Sequence, residues 1–273
     1  MHLDFHRTQT PADAPLAAPA GPSRAAGRRV RRELQQAAQA GAFELGFQPR
    51  RDLARNAIIG AALQLRWPRK RGGLTPVTGF MSLLERHGVA GEVAEWALES
   101  ACHAAAAWAC GQVSVAADAA SLADGMLLGQ VGRALASSGL APDRLEIGLS
   151  EAALTADSNE NLFTLAALRD LGVGVALDGF GSESASLLPL KRLPLTAITL
   201  DRSLIRDLPD DREAAAIVQA ATEFAHALDV TVVACGLETE EQAAFLRRIG
   251  CDEAQGSLCG RVVSAAEVAE YFR

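Results

Sequence analysis

No stretch of this 273-residue chain approaches the roughly 20 uninterrupted apolar residues of a membrane helix, although hydrophobic residues make up 49% of it. The chain is therefore expected to fold without spanning a bilayer. No apolar signal core stands among the first residues, so the arginines Arg24, Arg28, Arg29, Arg31 and Arg32 do not read as a secretory or twin-arginine signal. No CxxC pair occurs among the five cysteines, Cys102, Cys110, Cys235, Cys251 and Cys259, all of which sit in apolar stretches. That pattern argues against a disulfide framework and leads us to expect a reducing cytoplasm. Basic charge is in deficit too. With a net charge of −7 and a pI near 5.3, the protein is a poor general nucleic-acid binder, because phosphate backbones recruit a basic surface. A small anion could still bind locally.

Several catalytic signatures are missing. There is no GxxxxGK[ST], HExxH or GxSxG, and the histidines His2, His6, His87, His103 and His226 fall in the leader or on expected helices. No GxGxxG follows the first expected strand, and the pair Gly172 and Gly174 reads as a helix stop and a strand entry.

The part of the sequence that is present divides in two. Residues 1–28 are rich in Ala and Pro without periodicity, the composition of a disordered leader. Its arginine run suits either a docking patch for acidic partners or headgroups, or a solvated helix start. Residues 29–273 alternate short aliphatic runs with amphipathic segments, the pattern of a parallel sheet wrapped by helices. Strands are expected over 44–48, 58–66, 112–116, 144–149, 173–178, 197–201, 230–235 and 253–258. Helices are expected over 80–108, 126–138, 161–171, 212–228, 240–249 and 265–272. Thr239 with Gln242 and Ser264 with Glu267 form sequence-level capping boxes, and Gly139, Gly172 and Gly250 follow helix ends. Eight such units in one α/β domain predict a (β/α)8 barrel of the TIM type, with an open doubly wound sheet as the competitor.

In such a barrel, chemistry sits at the C-terminal ends of the strands. Those ends carry Gln48, Arg66, Ala116, Gly148 to Glu151, Asp178 to Gly181, Thr199 to Asp201, Cys235 to Glu238, and Gln255. At these positions FELGFQP, IIGAALQLRW, VSVAADAASL, LEIGLSE, ALDGFGSESASL, LPLTAITLDRSLI, VVACGLET and EAQGSL resemble, in order over 42–273, the strand motifs of the EAL family of cyclic di-GMP phosphodiesterases.

The resemblance implies two Mg2+ or Mn2+ ions that activate water against one phosphodiester of cyclic di-GMP, giving pGpG. It also implies losses in this chain. Ala62 stands where the family has its EAL glutamate, Ala116 for its strand-three asparagine, and Gly148 for the first paired glutamate. Gly179 replaces the second aspartate of DDFGTG, Thr199 the lysine of KIDRSFV, and Cys235 the first glutamate of AEGVE. Asp178, Gln255 and Glu151 remain, with Arg66 where the family contacts a phosphate and Gln48 where it lines the nucleotide pocket. Asp201 and Glu238 also match, at positions that support loops and strand ends. Hard divalent ions require clustered, mostly anionic oxygen ligands, so neither a resident metal nor a catalytic residue is expected.

Each remaining residue also has a plainer reading. Asp178 could accept backbone N–H groups, Arg66 could pair with a neighbouring carboxylate, Cys235 reads as a small buried residue, and Lys191 as a solvated charge. Glu183 and Ser184, which replace a glycine and a tyrosine of the family loop, would set a repelling charge near a phosphate pocket. Residues 95–108 and the loop after Asp178 could serve a homodimer or equally pack in the core. No GGDEF-like or sensory segment is seen ahead of the barrel. The expectation is a catalytically inactive, cytoplasmic regulatory domain that binds a protein partner. A non-hydrolysing cyclic di-GMP receptor is the alternative, and an active phosphodiesterase comes third.

Overall fold

The computed structural model describes residues 43–68, 74–76, 84, 88–117, 119–155, 159–181 and 191–272. The expected leader and its arginines lie outside the described residues, as do Glu183 and Ser184.

The strands are β1 (Glu44–Asp52), β2 (Ala57–Pro68), β3 (Leu74–Pro76), β4 (Gln112–Ala116), β5 (Leu145–Ser150), β6 (Gly174–Phe180), β7 (Ala197–Leu200), β8 (Thr231–Cys235) and β9 (Glu253–Gln255). From β2 through β4 to β9 the neighbours run parallel in chain order. β1 pairs with both β2 and β9, so the sheet closes into an eight-stranded barrel, and β3 is a short antiparallel addition to the end of β2. Closure rules out the open doubly wound sheet.

One feature departs from an all-parallel barrel: β1 is antiparallel to both neighbours. Only residues 53–56 connect β1 to β2, and Asn56 takes a left-handed φ of 54° there. A hairpin turn fits that length, whereas a parallel crossover needs a dozen or more residues.

The helices are α1 (Ala90–Ala106), α2 (Ala119–Ala123), α3 (Leu127–Ser138), α4 (Glu151–Thr155), α5 (Asn159–Asp170), α6 (Arg202–Ile205), α7 (Arg212–His226), α8 (Glu240–Arg248) and α9 (Ala265–Glu270). Both capping boxes form, Thr239 with Gln242 on α8 and Ser264 with Glu267 on α9. Gly139 ends α3 in the left-handed region, where a side chain would be strained. Of the helix expected over 80–108, Leu84 and Ala90–Ala106 are helical, Gly88 forms a turn between them, and residues 80–83 and 85–87 lie outside the described residues. Its apolar side, Val93, Ala97, Leu98, Ala101, Cys102 and Ala105, is buried in the protein core. β9 stops three residues early because Gly256 packs on the Leu237 backbone, where a Cβ would come within 2.1 Å of the carbonyl oxygen.

Alternation with a period of two gives each strand an outer and an inner face. On β5, Leu145, Ile147 and Leu149 are buried between barrel and helices, as are Val113, Val175, Ile198 and Val232 on β4, β6, β7 and β8. Phe47 packs edge-on against Trp108 at 5.4 Å between ring centroids on the same outer side. The intervening residues of these strands point into the barrel.

Candidate functional site

The inner face is built from small side chains that leave room. Ala176, Ala197 and Val233 form a small apolar plug of their own. One step further along the strands, Ala62, Ser114, Ala116, Asp178, Thr199, Cys235 and Gln255 surround a cavity of about 240 Å³ that opens at the C-terminal ends. Arg50, Gln64, Gly179 and Asp201 complete its polar lining. The topology thus brings together most of the positions singled out in the sequence.

Gly148 belongs to this group by a close approach. A Cβ placed on it would lie 2.0 Å from Asp178 Oδ2, so the Asp178 carboxylate leans into the space that a side chain at 148 would fill. The Thr199 hydroxyl hydrogen-bonds the same carboxylate. Burial pushes the Asp178 pKa up to about 6; the Thr199 bond and Arg50 oppose the shift, and Glu146 adds to it. Cys235 accepts a hydrogen bond from Gln255 Nε2 at 2.7 Å. Burial, with a contribution from Asp178, drives its thiol up to about 12. A protonated thiol is neither a nucleophile nor a soft-metal ligand at neutral pH.

Of the other expected residues, Gln48, Arg66, Glu151, Glu238 and Lys191 do not line the cavity, whereas Asp201 lines it from its rim. Gln48 faces inward opposite Ala62 in the β1–β2 ladder but does not line it. Arg66 lies alongside Gly46, whose added Cβ would meet its Nε at 3.3 Å, and makes no ion pair with a described carboxylate. Glu151 opens α4 and keeps one carboxylate oxygen buried without a hydrogen-bond partner. Asp201 caps α6 by accepting from Ser203 N at 2.8 Å, and Glu238 pairs with Arg202 at 2.5 Å on the surface. Lys191 is exposed.

Sequence reasoning missed the group that dominates the barrel interior. Arg50 is 4% exposed and Glu146 3%. The guanidinium donates to both Glu146 oxygens, from Nη1 at 2.5 Å and Nη2 at 3.4 Å, and its Nε donates to Glu253. Burial works against the charge of Arg50, but Glu146 and Glu253 more than offset it and hold its pKa above the usual range. Burial also raises the Glu253 pKa, against the pull of Arg50. Gly174 makes space beside Glu146, with a would-be Cβ 3.3 Å from the glutamate's Cβ and Cγ. The signal was available, because Arg50, Glu146 and Glu253 each stand two residues from an inward position already identified: Gln48, Gly148 and Gln255.

Two divalent ions would need several oxygen ligands around one point. Among the described residues no group of three or more His, Cys, Asp and Glu side chains could hold a metal ion. The buried Glu146 and the part-buried Glu253 are already committed to Arg50. These residues do not fit a two-metal site. Nor is any helix among the described residues long and apolar enough to cross a membrane.

Known proteins share this architecture. The family model described as EAL domain matches residues 31–262. The bifunctional diguanylate cyclase/cyclic di-GMP phosphodiesterase MucR of Pseudomonas aeruginosa is 34% identical over 241 residues, covering 86% of this chain and 35% of MucR. The cyclic di-GMP phosphodiesterase NbdA of the same organism is 35% identical over 251 residues, 90% of this chain and 32% of NbdA. The chain therefore spans about a third of these relatives' length. Among solved structures, the PaMucR phosphodiesterase in complex with c-di-GMP superposes with a TM-score of 0.82 at 33% identity, covering 88% of this chain and 99% of that one. The FimX EAL domain of Pseudomonas aeruginosa bound to c-di-GMP gives 0.77 at 26% identity, covering 84% and 93%.

Proposed function

We propose that this chain, which belongs to the EAL domain family, is a non-hydrolysing member that works in cyclic di-GMP signalling by binding a protein partner. One observation carries this reading. The barrel mouth presents Ala62, Ala116, Gly148, Gly179, Thr199 and Cys235 around its cavity, and a guanidinium ties up the nearest glutamates. Activating water against a phosphodiester takes either a metal-held hydroxide or a base beside an electrophilic clamp. Among the described residues, Asp178 is the one carboxylate lining the mouth that is not tied to a helix N-terminus or to Arg50. Among the described residues, Arg50 is the one cation lining the same cavity, and it is paired with Glu146 and Glu253.

The cavity's charge also weighs against a nucleotide at its floor. Arg50 is outnumbered by Glu146 and Glu253, and Asp178 and Asp201 add negative charge, so a phosphodiester anion meets repulsion there. The receptor reading keeps one specific support in Arg66, a cation beside the mouth without an ion pair to a described carboxylate. The relatives MucR and FimX, whose c-di-GMP complexes are solved, favour the same reading.

Calorimetric titration with cyclic di-GMP, in excess Mn2+ and again in EDTA, together with a turnover assay for pGpG, separates these readings. The expected result is no pGpG above a buffer control and no heat in either condition. Metal-independent binding abolished by Arg66→Ala would replace the partner reading with the receptor. Turnover in Mn2+ would sink both.

A further inference from the structure

We infer that the barrel mouth is a binding site for a small organic cation, a short alkylammonium, whose ammonium group pairs with the Asp178 carboxylate while its carbon stem lies along the apolar part of the cavity wall. The inference adds a ligand to the non-hydrolysing reading and stands apart from partner binding.

The charge around the cavity sets the sign of the ligand. Asp178 lines the cavity, is hydrogen-bonded by the Thr199 hydroxyl, and takes part in no ion pair with a described cation. Arg50 lines the same cavity, but its donors are taken by Glu146 and Glu253. Asp201 adds a second carboxylate at the rim, and Arg66 does not line the space. Carboxylates outnumber cations here, so the field inside favours a positive guest. Burial penalises the ionised form of Asp178, a cost that a cation alongside would offset.

Size and the remaining lining decide between an organic and an inorganic cation. At about 240 Å³ the cavity is far larger than a single ion, and among the described residues no group of acidic, His or Cys side chains could hold a metal. A hard divalent ion wants many oxygens around one point. An ammonium makes a smaller demand, for one carboxylate and a few neutral acceptors. The hydroxyls of Ser114 and Thr199 and the side-chain amide of Gln64 stand in the same lining as Asp178. Leu63, Leu200 and Val233 supply the apolar wall for a carbon stem, and Ala62 and Ala116 are too small to fill the space themselves. A pocket with mostly apolar walls and a few placed polar groups is the usual form of a small-molecule site.

The test is a protein-detected NMR titration of the full chain with n-butylammonium chloride, held at constant ionic strength against NaCl. The backbone amides of Ala116, Gly179 and Thr199 are expected to shift together, with a Kd of about 1 mM or tighter. 1-Butanol, a neutral analogue of the same length, is expected to bind at least about tenfold more weakly, because it lacks the charge-assisted bond to Asp178. Asp178→Asn keeps an oxygen for Thr199 and removes the charge, and it is expected to weaken butylammonium binding by at least about tenfold. Ala62→Leu fills the cavity without altering its charge and is expected to weaken binding as much.

Equal affinity for 1-butanol, shifts confined to other parts of the chain, or the absence of saturable shifts would overturn the inference. So would unchanged affinity in a folded Asp178→Asn or Ala62→Leu. The same shifts produced by NaCl or MnCl2 alone would make the mouth a site for inorganic ions and overturn it too. The comparison with 1-butanol needs no variant, so it decides even where a substituted chain does not fold. These readouts are independent of turnover. Formation of pGpG would end the proposed function without touching this inference, whereas a protein that makes no pGpG and binds no butylammonium would keep the former and lose the latter.

Discussion

Successive residues of β5 live under different rules. Leu145, Ile147 and Leu149 face the helices in a continuous aliphatic layer, where shape and volume decide what fits. Glu146, Gly148 and Ser150 face the barrel axis, where one residue is a buried charge, the next has no side chain, and the third stands at the rim. The outer face carries the stability that any barrel of this type requires. The inner face carries what distinguishes one barrel from another: here small side chains and an ion pair, which leave the outer layer untouched. Fold and site can therefore diverge independently, on alternate residues of one strand.

The comparison breaks most directly on the outer face. Ile147→Ala should cost about 2–5 kcal/mol, read as a lower urea midpoint at unchanged slope. A cost below about 1 kcal/mol would mean that the layer between barrel and helices is not the stabilising one. On the inner face, the Cβ of Gly148→Glu would start 2.0 Å from Asp178 Oδ2. Overpacking and like charge together should cost about 3 kcal/mol. A double-mutant cycle with Asp178→Ala should recover more than half of that loss. Additive costs would show that Asp178 is not what fills the space at 148.

The same split explains what could be read from the sequence. The eight barrel strands and the capping boxes at Thr239 and Ser264 were legible because they depend on period-two and period-3.6 apolar patterns and on local hydrogen bonds. The direction of β1 was less so, since it follows from the four-residue connector and not from any pattern within the strand. At the site, Ala62, Ala116, Asp178, Thr199, Cys235 and Gln255 come together around one cavity because the fold orders the strand ends. Arg50 went unread. Its partners are 96 and 203 residues away along the chain, and only barrel closure brings β1 against β9 and across from β5. Arg66, Gln48 and Glu151, expected at the site, stand beside the cavity, since a sequence position fixes a Cα and leaves the side chain free to follow its neighbours.

The smallest effect sharpens the inner face further, through Asp178. Its pKa is raised to about 6 from an ordinary value of 3.8, chiefly by burial. As pH rises, the unfolded chain loses this proton first, so between about pH 4 and pH 6 the folded state holds more protons than the unfolded one. Linkage then makes unfolding easier with rising pH across that window, and the stabilising contribution present at low pH is gone above about 6. Asp178→Asn keeps an oxygen to accept from Thr199 and removes the ionisation. The variant should be more stable than the unaltered protein by on the order of 1–2 kcal/mol at pH 7, with the gain shrinking toward zero near pH 4. Chemical denaturation at pH 4, 5, 6 and 7 measures the difference, and Glu253, also raised, cancels because both proteins carry it. A gain independent of pH would mean that Asp178 is destabilising through its fit against Gly148 and not through its charge. A loss at pH 7 would mean that the ionised carboxylate is held by Arg50 and Thr199 more strongly than burial opposes it.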